Sequence, residues 1–397
     1  MTDTRTYLKT HPWITFDVRL NAAAPGFWIA LGECQSKCEH LAAIPLAPEI
    51  GRYLHQVYLA KGAAATTAIE GNTLTEEQVL QHIQGKLTLP PSQEYLKQEV
   101  DNILKGCNLI LNEMQQGIQP PLSVDRMREL NQIVLENLSL ADPDIIPGQF
   151  RHDARGVPGY RAPHHEDCEY LVSRLCEWLN GEVFQARPGM ELMYAIIRAT
   201  LAHLYIAWIH PFGDGNGRTA RLVEVQILLS SSIPSPAAQL LSNHYNKTRT
   251  EYYRQLDIAR QDPISFLLYA VQGLRDGWRD QINVLRLQQL ETAWVNHVHK
   301  TFDKLKGAPH DRRRHLVLDL SNQQEAIPTA KLREISPRVA VDYKGRTDRT
   351  LDRDIRKLVG MGLITWDEKG KGWRAKKEAI LAFLPIRSSV NARNDSV

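Results

Sequence analysis

At 397 residues the chain is longer than one ordinary core and calls for two or three domains. Its 43% hydrophobic and 23% charged content is that of a soluble globular protein, which excludes a fibrous or wholly disordered chain. A net charge of +3 is too mild to argue for nucleic acid by itself, and five scattered cysteines fit reduced thiols in a cytoplasmic protein better than a disulfide framework.

The start, Met1 to Trp13, has no apolar core of the kind a secretory signal needs, so none is read there. Residues 1–45 mix Pro- and Gly-punctuated and Cys/Ala-rich stretches, read as a strand or arm packed on the helices after it. From Pro48 the pattern turns helical, with Ile50, Leu54, Val57, Tyr58 and Ala60 on one stripe and Gly71 as the stop. Thr66 and Glu70 are i,i+4 neighbours at its end. A carboxylate at a helix C-terminus is disfavoured by the dipole and wants a cation, unless it is simply solvated beside the capping glycine.

Thr75-Glu76-Glu77-Gln78 is a capping box opening a helix through Val79, Leu80 and Ile83. Tyr95–Met114 and Val124–Leu138 read as two more helices, separated by Pro120-Pro121, and nothing in them demands chemistry. Between Asp142 and Asp167 the prolines and glycines rule out a long helix and suggest a short hairpin. Cys34, Cys38 and His40, and also His164, His165 and Cys168, offer thiols and imidazoles. Neither set has a second ligand pair at zinc spacing, so core thiols and surface imidazoles are the reading.

Helices resume at Glu169–Leu179 and Met190–Ile209. Arg198 and His203 interrupt the apolar run Met193–Ile209, which is short for a membrane span and is read as a buried helix. It ends at His210-Pro211, because the residue before a proline is pushed out of the helical region. Gly213, Gly215 and Gly217 alternate with Asp214 and Asn216 before a second helical pattern from Leu222 to Leu229. The loop is therefore a helix N-terminus, with free N–H donors suited to phosphate. Arg218 and Arg221 in its first turn oppose the helix dipole and make sense if polyphosphate supplies the missing negative charge. Asp214 offers a hard oxygen ligand for Mg²⁺ beside those phosphates, and His210 is a candidate general base.

His210-Pro211-Phe212-Gly213-Asp214-Gly215-Asn216-Gly217-Arg218-Thr219-Ala220-Arg221 resembles, position for position, the signature of Fic (filamentation induced by cAMP) proteins. The resemblance implies a protein adenylyltransferase that moves AMP from ATP to a Ser, Thr or Tyr hydroxyl. It assigns His210 the acceptor's proton, Asp214 the Mg²⁺, Gly215, Asn216 and Gly217 the α- and β-phosphates, and Arg218 and Arg221 the β- and γ-phosphates. Gly217 stands where the related phosphate-transferring Doc branch carries Lys. Thr66 to Gly71 is similar to the family's inhibitory motif, which implies that Glu70, helped by Thr66, pairs with Arg221 and blocks the γ-phosphate. Gly148 to Arg151 with Gly156 to Pro163 resembles the family's flap, placing Val157, Pro158, Gly159 and Tyr160 against the nucleotide and the target's backbone on the flap edge. Tyr252, in Tyr252-Tyr253, is the expected base contact, with core packing as its alternative, and Arg260 stands where family members often have Asn.

Residues 264–305 read as one or two long helices. A locally basic stretch begins at Arg312. There Leu351, Ile355, Leu358 and Val359 form an apolar stripe, with Arg349, Arg353 and Arg356 on another face and Asp348, Asp352 and Asp354 diluting the charge. Helix, turn, strand, Gly-Lys turn and strand, through Trp366 and Trp373, is the order of a winged helix that docks either protein or DNA. The expected fold is thus mainly α: a Fic-type helical core with a β-hairpin flap, plus a winged-helix α+β domain. Its expected divisions are 1–115, a helical region with the inhibitory motif; 116–275, the catalytic core; 276–310, a helical linker; 311–385, the winged helix; and 386–397, a disordered tail. Expected partners are a target protein with an acceptor hydroxyl, the chain itself as target, and a second copy in a homodimer. Membranes are not expected, and DNA is the weaker expectation. The competing functions are a DNA-binding regulator with a silenced core, a UMP transferase and an enzyme removing AMP.

Overall fold

The computed structural model describes residues 5–154, 156–157, 159–186 and 188–381. The chain divides into two compact units after Ile282. The first unit holds both the region expected at 1–115 and the core expected at 116–275, so residue 115 does not mark a division.

The first unit opens with α1 (Tyr7–Thr10) and α2 (Pro25–Ala43). The second of these corrects the expected strand or arm. Phe27, Ala30, Leu31, Cys34, Cys38 and Leu41 recur at helical spacing and are buried, and Pro25 sits at the first turn, where its missing N–H costs nothing. α3 (Pro48–Ile69) carries a run of small buried residues, Gly62 to Ala65, that lets it approach its neighbours closely. A Cβ on Gly62 would collide with Gln239 Oε1. α4 (Glu76–Ile83) has the expected capping box, Thr75 with Gln78. α5 (Glu94–Gln115) and α6 (Val124–Leu135) come next, the latter capped by the Ser123 hydroxyl and ending three residues earlier than its periodicity suggests. A two-residue antiparallel hairpin, β1 (Gly156–Val157) with β2 (Tyr160–Arg161), pairs Gly156 with Arg161 and Val157 with Tyr160.

Then come α7 (Cys168–Leu179), α8 (Glu191–Ile209), α9 (Asn216–Ser230), α10 (Ser235–Ala238), α11 (Leu240–Lys247) and α12 (Arg249–Ile258). α8 is long and apolar enough to cross a membrane by length and composition. It is buried instead, from Ala195 to Ile209, against an α9 whose side chains are buried on almost every face. A helix apolar all round belongs at the centre of a core, so this pair is the unit's axis. All five cysteines are free and buried, as expected of core thiols.

α13 (Pro263–Phe302) is one 40-residue helix. The expected linker 276–310 is not a linker, because Trp294, Val298 and Phe302 are buried in the second unit's core with Leu316, Leu320, Leu351, Ile355 and Leu358. That unit continues with α14 (Ala308–Ser321), α15 (Pro337–Tyr343) and α16 (Asp348–Gly360). It ends in an antiparallel pair, β3 (Ile364–Asp367) with β4 (Gly372–Ala375). The element order is the expected one. The charge on it is not, because Asp354 is fully buried and accepts from Arg312 Nε at 2.8 Å, Arg313 Nε at 2.7 Å and the Tyr343 hydroxyl at 3.1 Å. Arg314 pairs with Asp311, Arg333 with Asp348 and Arg338 with Asp319. Much of the basic stretch is thus neutralised inside the unit. Val359, placed on the apolar stripe, is 45% exposed. The expected tail 386–397 lies outside the described residues.

Candidate active site

The loop between α8 and α9 is held by its own side chains. His210 closes α8 with its N–H on the Ile206 carbonyl, then turns into left-handed backbone at φ 48°. The Asn216 amide bonds both sides of Phe212, accepting from its N–H and donating to its carbonyl, each at 2.9 Å. Its side chain thus shapes the loop, and its backbone N–H stands with those of Gly215 and Gly217 at the start of α9. Gly215, at φ 74°, is the N-cap, and a Cβ there would lie 3.0 Å from Asn131 Nδ2. Asp214 Oδ1 accepts from the Gly215 N–H at 2.5 Å and from Arg218 Nη2 at 3.2 Å. Nearly half of that side chain is exposed, and a carboxylate is a hard oxygen ligand suited to a divalent cation.

Two buried guanidiniums stand over this N-terminus. Arg221 is 1% exposed and Arg218 5%. Arg221 Nη2 donates to Glu70 Oε1 at 2.5 Å and to the Thr66 carbonyl at 3.1 Å. Arg218 also lies 3.6 Å from Glu99. Nε and Nη1 of both arginines have no hydrogen-bond partner among the described residues. Buried donors are rarely left so. Gly217 makes room for the arrangement, since a Cβ on it would lie 2.5 Å from Glu70 Oε1. Burial works to raise the Glu70 pKa, but the charge and hydrogen bond of Arg221, then the charge of Arg218, outweigh it and hold the carboxylate ionised.

His210 sits beside this cluster with its pKa pushed down to about 4 by burial and by the charge of Arg151, partly offset by Glu70. The ring is neutral at physiological pH. A neutral imidazole carries one ring nitrogen with a free lone pair, which can accept a proton.

The hairpin borders a cleft of about 580 Å³ lined by Gly159, Tyr160, Ala207, Trp208, Tyr253, Leu256, Asp257 and Arg260. The Tyr160 hydroxyl donates to the Trp208 carbonyl at 2.5 Å, and the Arg260 guanidinium lies 4.7 Å over the Tyr160 ring. Gly159 and Tyr160 thus line this cleft, Val157 pairs with Tyr160 in the hairpin, and Pro158 lies outside the described residues. The tyrosine pair divides its work. Tyr252 is 3% exposed and shares a 2.8 Å hydrogen bond with His203, so it packs in the core, whereas Tyr253 lines the cleft.

Two positioning residues escape sequence reasoning. Arg151 donates to the His210 carbonyl at 2.8 Å and the Pro163 carbonyl at 2.6 Å, joining the loop to the hairpin's exit. Asn131, fully buried on a helix read as inert scaffold, donates to the Asp214 carbonyl and the Thr219 hydroxyl and accepts from the Gly148 N–H. Both act mainly on backbone groups, which leave no mark in a sequence. A polar residue on the buried stripe of α6 is the one available signal.

Residues 121–228 match the sequence model of the Fic/DOC family. Over 199 residues the chain is 31% identical to the protein adenylyltransferase fic-1 of Caenorhabditis briggsae, covering 49% of this chain and 35% of the relative. Over 202 residues it is 29% identical to the protein adenylyltransferase Fic of Nematostella vectensis, covering 50% and 43%. The chain therefore spans less than half the length of these curated relatives. A solved Fic family protein from Desulfovibrio desulfuricans shares the fold over 87% of this chain and 92% of its own, at a TM-score of 0.54 and 20% identity. Fic-1 from Caenorhabditis elegans superposes on 66% of this chain and 73% of its own, at 0.52 and 26% identity. The His210 loop and both arginines lie within the segment that matches the Fic/DOC family.

Proposed function

We propose that the chain is a protein adenylyltransferase acting on a Ser, Thr or Tyr hydroxyl of a target protein or of itself, held in a resting state by Glu70. The observation that carries this reading is the set of N–H groups on Arg218 and Arg221 that have no hydrogen-bond partner among the described residues, buried at the N-terminus of α9 beside a neutral imidazole. Buried cationic donors at a helix N-terminus are a polyphosphate site in want of its anion. The names of the relatives, protein adenylyltransferases at about 30% identity, agree with it.

In this reading the triphosphate lies over the backbone of Gly215 to Gly217, and the base enters the cleft between Tyr160 and Tyr253. Asp214 would hold a Mg²⁺ ion, which supplies neutralising charge on the leaving pyrophosphate. The free nitrogen of His210 takes the acceptor's proton as its oxygen bonds the α-phosphorus; the bond from that phosphorus to the β-bridging oxygen breaks and pyrophosphate departs. Charge building on the phosphoryl oxygens meets donors already in place, so little reorganisation is needed. The edge of the hairpin pairs with the target's backbone and sets the hydroxyl in register. Glu70, ion-paired with Arg221, occupies the place of the γ-phosphate.

Incubation with ATP labelled on the α-phosphate tests the proposal. Glu70→Gly should raise transfer to protein, and His210→Ala in that background should lower it by on the order of 10²–10⁴-fold, the general-base factor. Equal labelling with and without His210 would overturn the assignment.

A further inference from the structure

Immediately after the hairpin the chain places His164, His165 and Glu166 side by side. Among the described residues these are the one group of three ligand-bearing side chains whose donor atoms all lie within 4.8 Å of one another. We propose that they form a transition-metal site, with Zn²⁺ as its preferred occupant, separate from Asp214 and independent of the transfer chemistry.

Three features support a built site. The backbone under it is fixed: the Asp167 N–H donates to the His164 carbonyl at 2.9 Å. The buried Asp167 carboxylate takes Arg5 Nη1 at 3.1 Å and the Tyr7 N–H at 3.2 Å, and the Pro163 carbonyl takes Arg151. Only side-chain torsions have to adjust. Three donors around a tetrahedral ion at about 2.1 Å stand roughly 3.4 Å apart, so the required contraction is small.

The second feature is the pair of imidazoles, whose centroids are 4.3 Å apart at a 33° tilt. His164 Nδ1 lies 3.5 Å from Glu166 Oε2, and no other polar side-chain partner is found for either ring among the described residues. Two adjacent imidazoles with lone pairs to spare are stabilised by a shared cation.

Third, two imidazoles and one carboxylate form a donor set for zinc, cobalt or nickel rather than for magnesium or calcium, which take oxygen ligands. His165 and Glu166 also help to line a cleft of about 510 Å³, together with His152 and Glu169. Sequence spacing offers Cys168 as the third ligand. That thiol is fully buried at the start of α7, and Glu166 takes its place.

The experiment uses the full chain, stripped with EDTA and desalted, titrated with Zn²⁺ against a chromophoric chelator of micromolar affinity. One equivalent should bind. His164→Ala and Glu166→Gln should each weaken binding about tenfold or more, while His299→Ala, on exposed α13 surface, should leave it unchanged. The Co²⁺-loaded protein should show visible absorption that His164→Ala loses. His164 and Glu166 are exposed, so melting curves in EDTA should match wild type and verify folding. Absence of stoichiometric Zn²⁺, or equal binding by wild type and both variants, overturns the site.

Discussion

A non-glycine residue in left-handed backbone costs on the order of 1–3 kcal/mol, and His210 accepts that cost at φ 48° where the chain leaves α8 for the loop. Its surroundings set its acid–base behaviour in opposing directions. Burial and Arg151 push the pKa down, whereas Glu70 pulls it up. These opposing pulls fix the sign of two variants. Glu70→Gly should move the acidic limb of transfer to lower pH than the resting environment would give. Adding Arg151→Met should move it back toward 6.5, because the cation that opposed protonation is gone. The plateau rate should also fall about tenfold, since Arg151 holds the His210 carbonyl and small misplacements of a reacting group are costly. Transfer rates of the two variants measured from pH 4 to 8 decide this, and coincident midpoints would show that Arg151 exerts no field on the ring. The contrast also explains legibility. His210, Asp214, Gly215, Gly217, Arg218 and Arg221 stand in one short stretch, so their grouping can be read from it. Arg151 and Asn131 reach the same loop from elsewhere through backbone carbonyls, and the bonds by which the Asn216 side chain holds Phe212 leave no mark in the spacing.

At the scale of elements, the site is the meeting of the end of α3 with the start of α9. Glu70 is the C-cap of one helix, and Arg221 lies in the first turns of the other. Each end carries the wrong charge for its own dipole, and their pairing relieves both. Removing Glu70 strands a buried guanidinium, so Glu70→Gly should cost on the order of 1–3 kcal/mol of stability. A triphosphate should restore it: ATP with Mg²⁺ should raise the melting temperature more in Glu70→Gly than in wild type, because in wild type the nucleotide must first displace a carboxylate. Equal shifts would mean that Glu70 and nucleotide do not compete. Asn131→Ala tests the other support; freeing the Asp214 carbonyl, the Thr219 hydroxyl and the Gly148 N–H should lower stability by about 1–3 kcal/mol while leaving every side chain of the loop in place. Most helices here are legible from apolar spacing and caps. α2 is not, because Pro25, Gly26 and Gly32 read as punctuation, and the later part of α13 reads as a linker, although Trp294, Val298 and Phe302 recur every fourth residue.

Across the first unit as a whole, burial of neutral imidazoles shapes the response to acid. His210 and His244 are both pushed down to about 4, chiefly by burial, and His11 and His55 are lowered for the same reason. A histidine whose folded pKa is depressed takes up fewer protons than the unfolded chain between its folded value and the ordinary 6.5. Its stability contribution is complete above 6.5 and is lost as pH falls through that window. At pH 5 the loss is on the order of 2 kcal/mol for each group held near 4, so the unit should melt markedly lower at pH 5 than at pH 7.5, before most carboxylates titrate. His244 separates this cause from others. Its ring is wedged against Gly273 of α13, where a Cβ would collide with its Cδ2, and its Nε2 has no hydrogen-bond partner among the described residues. His244→Gln should lower the melting temperature at pH 7.5 through lost packing, yet flatten its fall toward pH 5, since one of the groups driving that fall is gone. Parallel curves for variant and wild type would show that the acid sensitivity arises elsewhere.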